Sequence, residues 1–292
     1  MKTQLKIHAM LLLVQCMFAI LPSLSKMAFK SFAPEVVLFF RISGSSLLFA
    51  LLFFLFFYER VSSVKDLFYF ALLGIFGVVA NQFLFLKGVF YTTAINANII
   101  FTTIPVFTLI IAALFSYEKI NSLKVVGIIL SLSGVFTLIG VHKLTSSGHS
   151  LGNIMIVLNS ISYSIFLVIA KPVLKRYKPF TIITWVFLFS TIECIPLCFG
   201  ALEHADLLQI PGHDYLILLI IIVFSTFLPY TLNTNVLKQV DSSIVAVYIY
   251  LQPLIGASFA ILLLGEKITL RMGISAVLII IGVALASIRK QK

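Results

Sequence analysis

Two stretches of this chain repeat one another at an offset of 148 residues. Pro105, Ala112, Leu114, Glu118, Lys119, Ile120, Leu130, Gly134 and Val135 recur, without a gap, as Pro253, Ala260, Leu262, Glu266, Lys267, Ile268, Leu278, Gly282 and Val283. A weaker echo at an offset of 145 links Leu13, Lys26, Lys30 and Pro34 to Leu158, Lys171, Lys175 and Pro179. The chain therefore divides into two related halves, 1–145 and 146–292. Neither half has the polarity of a soluble domain. Only 11% of the residues are charged and 61% are hydrophobic, against about 25% charged and 45–50% apolar in soluble domains. This composition belongs in lipid.

A helix needs about 20 mainly apolar residues to cross the hydrocarbon. Ten such spans are predicted: Ile7–Ser25, Pro34–Phe57, Leu67–Leu86, Ala94–Phe115, Asn121–Val141, Leu151–Ala170, Pro179–Gly200, Tyr215–Val236, Ser243–Leu264 and Thr269–Ile288. Helices are required because lipid offers no partner for open backbone groups. The predicted fold is thus all-α and integral to the membrane. The N-terminus, with Lys2 and Lys6 before an apolar run, is read as the first span rather than a removable signal, because more spans follow at once.

Lys and Arg bias sets the direction. With the N-terminus in the cytoplasm, fourteen Lys and Arg fall inside, six fall outside, and Arg41 lies within a span. Both termini are then cytoplasmic, in a multi-pass protein of the cell (inner) membrane. Five spans per half is an odd number, so the second half enters from the opposite side. Two related five-helix halves inserted upside down form an inverted repeat, the usual build of a secondary transporter.

A polar-small helix start, a central Pro, an apolar stretch and then Glu-Lys-Ile and a Gly-Val helix resemble the EamA-type transporters of the drug/metabolite transporter superfamily. Here these are Thr92-Thr93-Ala94 to Pro105 to Glu118, and Ser242-Ser243 to Pro253 to Gly265-Glu266, with Pro34 and Arg41 in the second span. The first copy departs from the pattern at Tyr117, where the second has Gly265. The resemblance covers both halves. It implies ten helices in inverted repeats and export or exchange of small metabolites, without naming one.

Polar groups inside the membrane are costly and tend to face a wet cavity or the bundle interior. The expected cavity residues are Gln15, Asn81, Gln82, Asn98, Thr102, Asn159, Tyr163, Tyr230, Asn233, Tyr248 and Gln252, with Asn96, Thr103 and Tyr250 beside them. They fall in spans 1, 3 and 4 and the repeat-equivalent 6, 8 and 9, leaving 5 and 10 as packing helices. Each taken singly is equally explained by an interhelical hydrogen bond. Pro105 and Pro253 sit mid-span, where each frees a carbonyl. Arg41 and Glu193 are the clear charges well inside spans. They are expected at matched depth toward the outer side, paired as a gate. The rival readings are snorkelling of Arg41, and local bonding or proton carriage by Glu193. Glu118 and Glu266 are expected to anchor helix ends.

A net charge of +11 in a soluble protein would point to nucleic acid. Here the basic residues sit in short loops and at the termini, so nucleic acid is not an expected partner. Cys16, Cys194 and Cys198 lack the ligands of a metal site, no phosphate-cradling loop occurs, and no catalytic cluster or cofactor motif is found. The reading is a secondary transporter, not an enzyme, of small organic metabolites such as amino acids, working by alternating access; a passive channel or facilitator is the alternative. The expected partners are a small-molecule substrate and the bilayer, with a homodimer left open. A reporter enzyme fused after Lys292 is expected to be active only in the cytoplasm. Activity confined to the periplasm would overturn the orientation.

Overall fold

The computed structural model describes residues 2–115, 122–139, 148–237 and 251–287. Every described element is helical. Six helices are long and apolar enough to cross a bilayer. A bent pair supplies a seventh, and three shorter apolar helices complete the ten. In chain order, α1 runs Lys2–Ala19 and, past a break at Ile20, Leu21–Ala28. Helix α2 is Pro34–Leu52 with a wide turn Phe53–Phe57; α3 is Val64–Gly74, a wide turn Ile75–Val79, and Ala80–Tyr91. Helix α4 is split into Ala94–Phe101 and Ile104–Leu114, and α5 is Ser122–Ile139. The second half repeats this order. Helix α6 is Gly148–Ile169, α7 is Pro179–Glu193 and Ile195–Glu203, and α8 is Gly212–Ile222, a wide turn Val223–Phe227, and Leu228–Leu237. Helix α9 is Gln252–Leu264 and α10 is Leu270–Ser287.

The duplication written in the sequence reappears in the helix defects. The wide turns at 75–79 and 223–227 are 148 residues apart, as are the starts of Ile104–Leu114 and Gln252–Leu264 and both ends of α5 and α10. Local causes are legible. Pro34 and Pro179 occupy the first turn of α2 and α7 behind extended residues Ala33 and Lys178, as a ring-fixed φ and a missing N–H require. Pro105 cannot donate to the carbonyl one turn back, so α4 breaks before it. Thr102 and Thr103 sit at that break, and their hydroxyls donate to the carbonyls of Ile99 (2.7 Å) and Ile100 (2.6 Å). The wide turns also free carbonyls. Phe76 O accepts from Ser162 (2.7 Å) and Ile221 O accepts from Thr226 (3.1 Å).

The surface is apolar, as lipid demands: Phe56 is 71% exposed and Leu270 is 82% exposed. Helices α5 and α10 pack on each other through small residues. A Cβ on Gly127 would lie 2.5 Å from the Ala286 nitrogen and the Gly282 carbonyl, and one on Gly282 would lie 2.5 Å from the Ser131 nitrogen. A Cβ on Gly134 would meet Ile279 and the Ser275 carbonyl. Gly134 and Gly282 are repeat mates, and so are Gly127 and Ser275, and Ser131 and Ile279. Each helix thus makes the same contacts to the other, so the two halves meet about a pseudo-two-fold axis. Small-residue contact of this kind is a main source of helix association in lipid.

Two polar clasps, also related by the repeat, tie the halves together at opposite ends. Asp66 at the start of α3 accepts from Tyr177 Oη (2.7 Å) and pairs with Arg176 (2.7 Å) in the α6–α7 connection. Its repeat mate Asp214, at the start of α8, accepts from Ser31 Oγ (2.6 Å) in the α1–α2 connection. Substituting Gly127→Leu or Gly282→Leu is expected to destabilise the fold by about 1–3 kcal/mol or more, read as a lowered unfolding midpoint in detergent. Gly273→Ala, with nothing within 4 Å of the added carbon, is expected to leave it unchanged or raised.

Candidate functional site

Arg41 is the centre of the intramembrane polar region. It lies seven residues into α2 and is 4% exposed. Its Nε donates to Thr226 Oγ1 (2.8 Å) on the wide turn of α8, and its guanidinium lies 5.5 Å from the Phe85 ring centroid on α3. Tyr230, one turn beyond Thr226, is close enough to interact electrostatically with Arg41 and with Tyr163 of α6. Tyr230 also meets Phe18 of α1 and Phe187 of α7 edge to face, at 5.9 and 5.6 Å between centroids. A buried cation is thus held by a hydroxyl and a π face, with no carboxylate among the described residues at ion-pair distance.

The expected Arg41–Glu193 pair is not formed in this structure. Glu193 Oε2 lies where a Cβ on Gly74 would fall, 2.8 Å away, and has no hydrogen-bond partner. Arg41 sits against Phe85, eleven residues further along α3, which is about 16 Å of helix rise. The matched-depth expectation fails because α7 bends just past Glu193, so sequence spacing from Gly200 does not measure depth. Pro196 breaks the helix, the chain bends by 51°, and a second segment runs on to Glu203. Glu193 packs beside Gly74 in the middle of α3, whereas Arg41 packs beside Phe85 nearer its end.

The other expected residues divide by what their side chains touch. Gln252 Nε2 donates to Gln15 Oε1 (2.7 Å), joining α9 to α1. Asn81 and Asn159 each donate to the other's carbonyl, at 3.3 and 2.6 Å, clamping α3 to α6. Asn98 Nδ2 donates to the Ala19 carbonyl at the break in α1 (3.2 Å), and Gly256 makes room for it. Thr102 is engaged by its own helix. Gln82 is 1% exposed and neither of its amide atoms has a partner. Helices α1, α3, α4, α6, α8 and α9 thus carry buried polar groups, and so do α2 (Arg41, Ser45, Ser46) and α7 (Thr181, Thr184, Ser190). The side chain of Asn233, together with Tyr248, Tyr250 and Glu118, lies outside the described residues. Asn96 is not at mid-depth: it opens α4, two residues past Ala94, and donates to Thr92 Oγ1 (3.1 Å) and Asn153 Oδ1 (3.2 Å).

Glu266 is a helix-end anchor in a specific sense. Gly265, at φ 66°, takes the left-handed cap that ends α9. The chain turns so that Glu266 Oε1 and Oε2 accept from the Ala94 N–H (2.8 Å) and Ile95 N–H (3.0 Å). A carboxylate on unpaired N–H groups at a positive helix end is favourable on both counts. The half-crossing contact from α9 to the start of α4 was not foreseen. Nor were Thr226 and Phe85 as Arg41's partners, or the Asp66 and Asp214 clasps. The identity of Asp66 and Asp214 at the 148-residue offset is a sequence signal that pointed to the clasps.

The paired wide turns, matched helix ends and two-fold α5–α10 contact are features of one duplicated architecture, and the family model for the EamA-like transporter family matches residues 5–140 and again 150–288. The chain belongs to the EamA-like transporter family. It is 30% identical over 226 residues to an uncharacterized transporter of Archaeoglobus fulgidus, covering 76% of this chain and 75% of that one. It is 24% identical to the uncharacterized transporter YyaM of Bacillus subtilis (74% and 71% covered). It is 26% identical to a WAT1-related protein of Arabidopsis thaliana (78% and 69%). A solved crystal structure shares the fold at a TM-score of 0.62 and 16% identity, covering 94% of this chain and 95% of that chain. EamA proteins are transporters rather than enzymes, and this chain is a multi-pass membrane protein.

Glu266→Ala is expected to lower stability by about 1–2 kcal/mol through the orphaned α4 N–H groups, read from thermal unfolding. Glu203→Ala, at the exposed end of α7, is expected to leave the midpoint unchanged.

Proposed function

We propose that this EamA transporter moves small organic metabolites such as amino acids across the cell membrane, as an exporter or exchanger. It does so by alternating access around the cavity between α1, α3, α4, α6, α8 and α9, with both termini cytoplasmic. The observation that carries the substrate class is Arg41. A buried guanidinium has five N–H donors in a planar fork that suits a carboxylate. Among the described residues it has a hydroxyl acceptor, Thr226, and no acidic partner. A substrate carboxylate completes that set. Phe18, Phe187 and Tyr230 supply an aromatic wall for an apolar portion, and Gln15, Gln82 and Gln252 supply amide groups for an amine or hydroxyl.

The pseudo-two-fold relation supports alternating access. The α5–α10 contact is tight and symmetric, so it serves as the axis on which the halves move. The clasps at Asp66 and Asp214 lie at opposite ends. Loosening one while the other holds opens one side only. Intramembrane breaks at the repeat interface are the places where such transporters bind and flex.

In proteoliposomes, a panel of amino acids and other carboxylates, tested with and without a pH gradient, is expected to include a transported compound. Its uptake should be accelerated by unlabelled substrate on the far side. Arg41→Gln is expected to reduce uptake at least about tenfold, the cost of roughly one charge-assisted hydrogen-bonded pair, with Arg41→Lys intermediate. Unchanged transport in Arg41→Gln protein would remove Arg41 from the substrate site. Flux without trans-acceleration would favour the facilitator.

A further inference from the structure

A second polar region lies away from Arg41, at the end of the bundle where Glu266 caps α4. There a cavity of about 320 Å³ opens between the starts of α4, α6 and α10 and the end of α5. Its rim carries Lys267 and Arg271, with His149 beside them, and among the described residues no acidic side chain lines it. The nearest carboxylate in sequence, Glu266, is committed to the Ala94 and Ile95 N–H groups. The N-termini of α6 and α10 border the same space, with Thr269 at the start of α10 accepting from the Met272 N–H (3.3 Å). Two fixed cations and two positive helix ends therefore face one cavity.

The floor of the cavity is polar and incompletely satisfied. Asn153 Oδ1 accepts from Thr92 Oγ1 (2.5 Å) and Asn96 Nδ2 (3.2 Å). Asn96 lines the cavity, is 6% exposed, and its Oδ1 has no partner. A buried carbonyl-type oxygen without a donor is costly, and one hydroxyl or ammonium group on a ligand would satisfy it. The volume suits a molecule the size of an amino acid or a lipid headgroup.

We propose that this vestibule binds small organic anions that carry a hydroxyl or amino group beside the acid. The acid group lies against Lys267 and Arg271, and the donor reaches Asn96 Oδ1. The ligand is either a free metabolite or the headgroup of an anionic lipid such as phosphatidylglycerol. The two share the recognising chemistry.

The full chain in phosphatidylcholine nanodiscs, titrated with glycerol phosphate at constant ionic strength, tests this by thermal unfolding. No gradient is involved, so the result is independent of whether the chain transports carboxylates. A saturable rise in the unfolding midpoint is expected, and ethyl phosphate, lacking the hydroxyl donors, should bind several-fold more weakly. The double substitution Lys267→Gln/Arg271→Gln should weaken binding at least about tenfold by removing two charges. Lys175→Gln, at an exposed site elsewhere, should not weaken it. Asn96→Asp is near-isosteric and places a negative charge on the floor, so it should also abolish binding and serves if the double variant does not fold. If the stabilisation instead appears only in phosphatidylglycerol nanodiscs and is lost in the same variants, the occupant is the lipid headgroup. The proposal fails if neither source stabilises the protein in a manner that depends on Lys267, Arg271 or Asn96, or if glycerol alone does as well as glycerol phosphate.

Discussion

Lipid supplies no hydrogen bonds, and the fold is organised around that fact. A straight helix satisfies itself, but among the described residues α1, α4 and α7 are broken and α2, α3 and α8 carry wide turns. Each interruption frees backbone groups that must find a protein partner. Thr102 and Thr103 answer the break in α4, Ser162 answers the wide turn of α3, and Asn98 answers the break in α1. Much of the polarity read in the spans as lining for a cavity is therefore also the means by which broken helices exist in hydrocarbon. Function and folding draw on the same side chains, because a helix that must flex needs a break and a break needs a donor or acceptor.

The two halves are held together unevenly. Helices α5 and α10 interlock through Gly127, Gly134 and Gly282, where almost any added carbon collides with backbone. The halves also pack closely along α3 and α6, where a Cβ on Gly88 or Gly152 would collide with the facing helix, and they share discrete polar contacts: Asp66 with Arg176 and Tyr177, Asp214 with Ser31, Gln252 with Gln15, and Glu266 with the start of α4. A close-packed seam resists sliding, whereas single hydrogen bonds can be exchanged for others. Arg41 sits off the α5–α10 seam, between α2, α3 and α8, where a change in the polar contacts would alter what surrounds its charge.

Much of this was legible in the chain. Apolar runs of about twenty residues set the spans, since bilayer thickness fixes their length. The 148-residue repeat set the halves, and its register returned in the paired wide turns and in the matched ends of α5 and α10. Buried polar groups do occur on α1, α3, α4, α6, α8 and α9, but α2 and α7 carry them as well, in Arg41, Ser45, Ser46, Thr181, Thr184 and Ser190. Assigning roles to single residues was harder. Asn81 and Asn159 clamp each other, and Thr102 bonds within its own helix. An amide or hydroxyl in a span looks the same in sequence whether it faces a cavity, a neighbour or its own backbone.

The sequence by itself determined that the chain is a helical membrane protein of two inverted five-span halves, since hydrophobic length and an odd span count leave no other arrangement. Only the tertiary structure decided depth and partnership. It placed Glu193 against Gly74 and Arg41 against Phe85 and Thr226, separating two charges expected to pair. It also aimed the Glu266 carboxylate at the first N–H groups of α4. Depth depends on where helices bend, and partnership depends on which faces the bends bring together; both follow from packing between segments far apart in the chain.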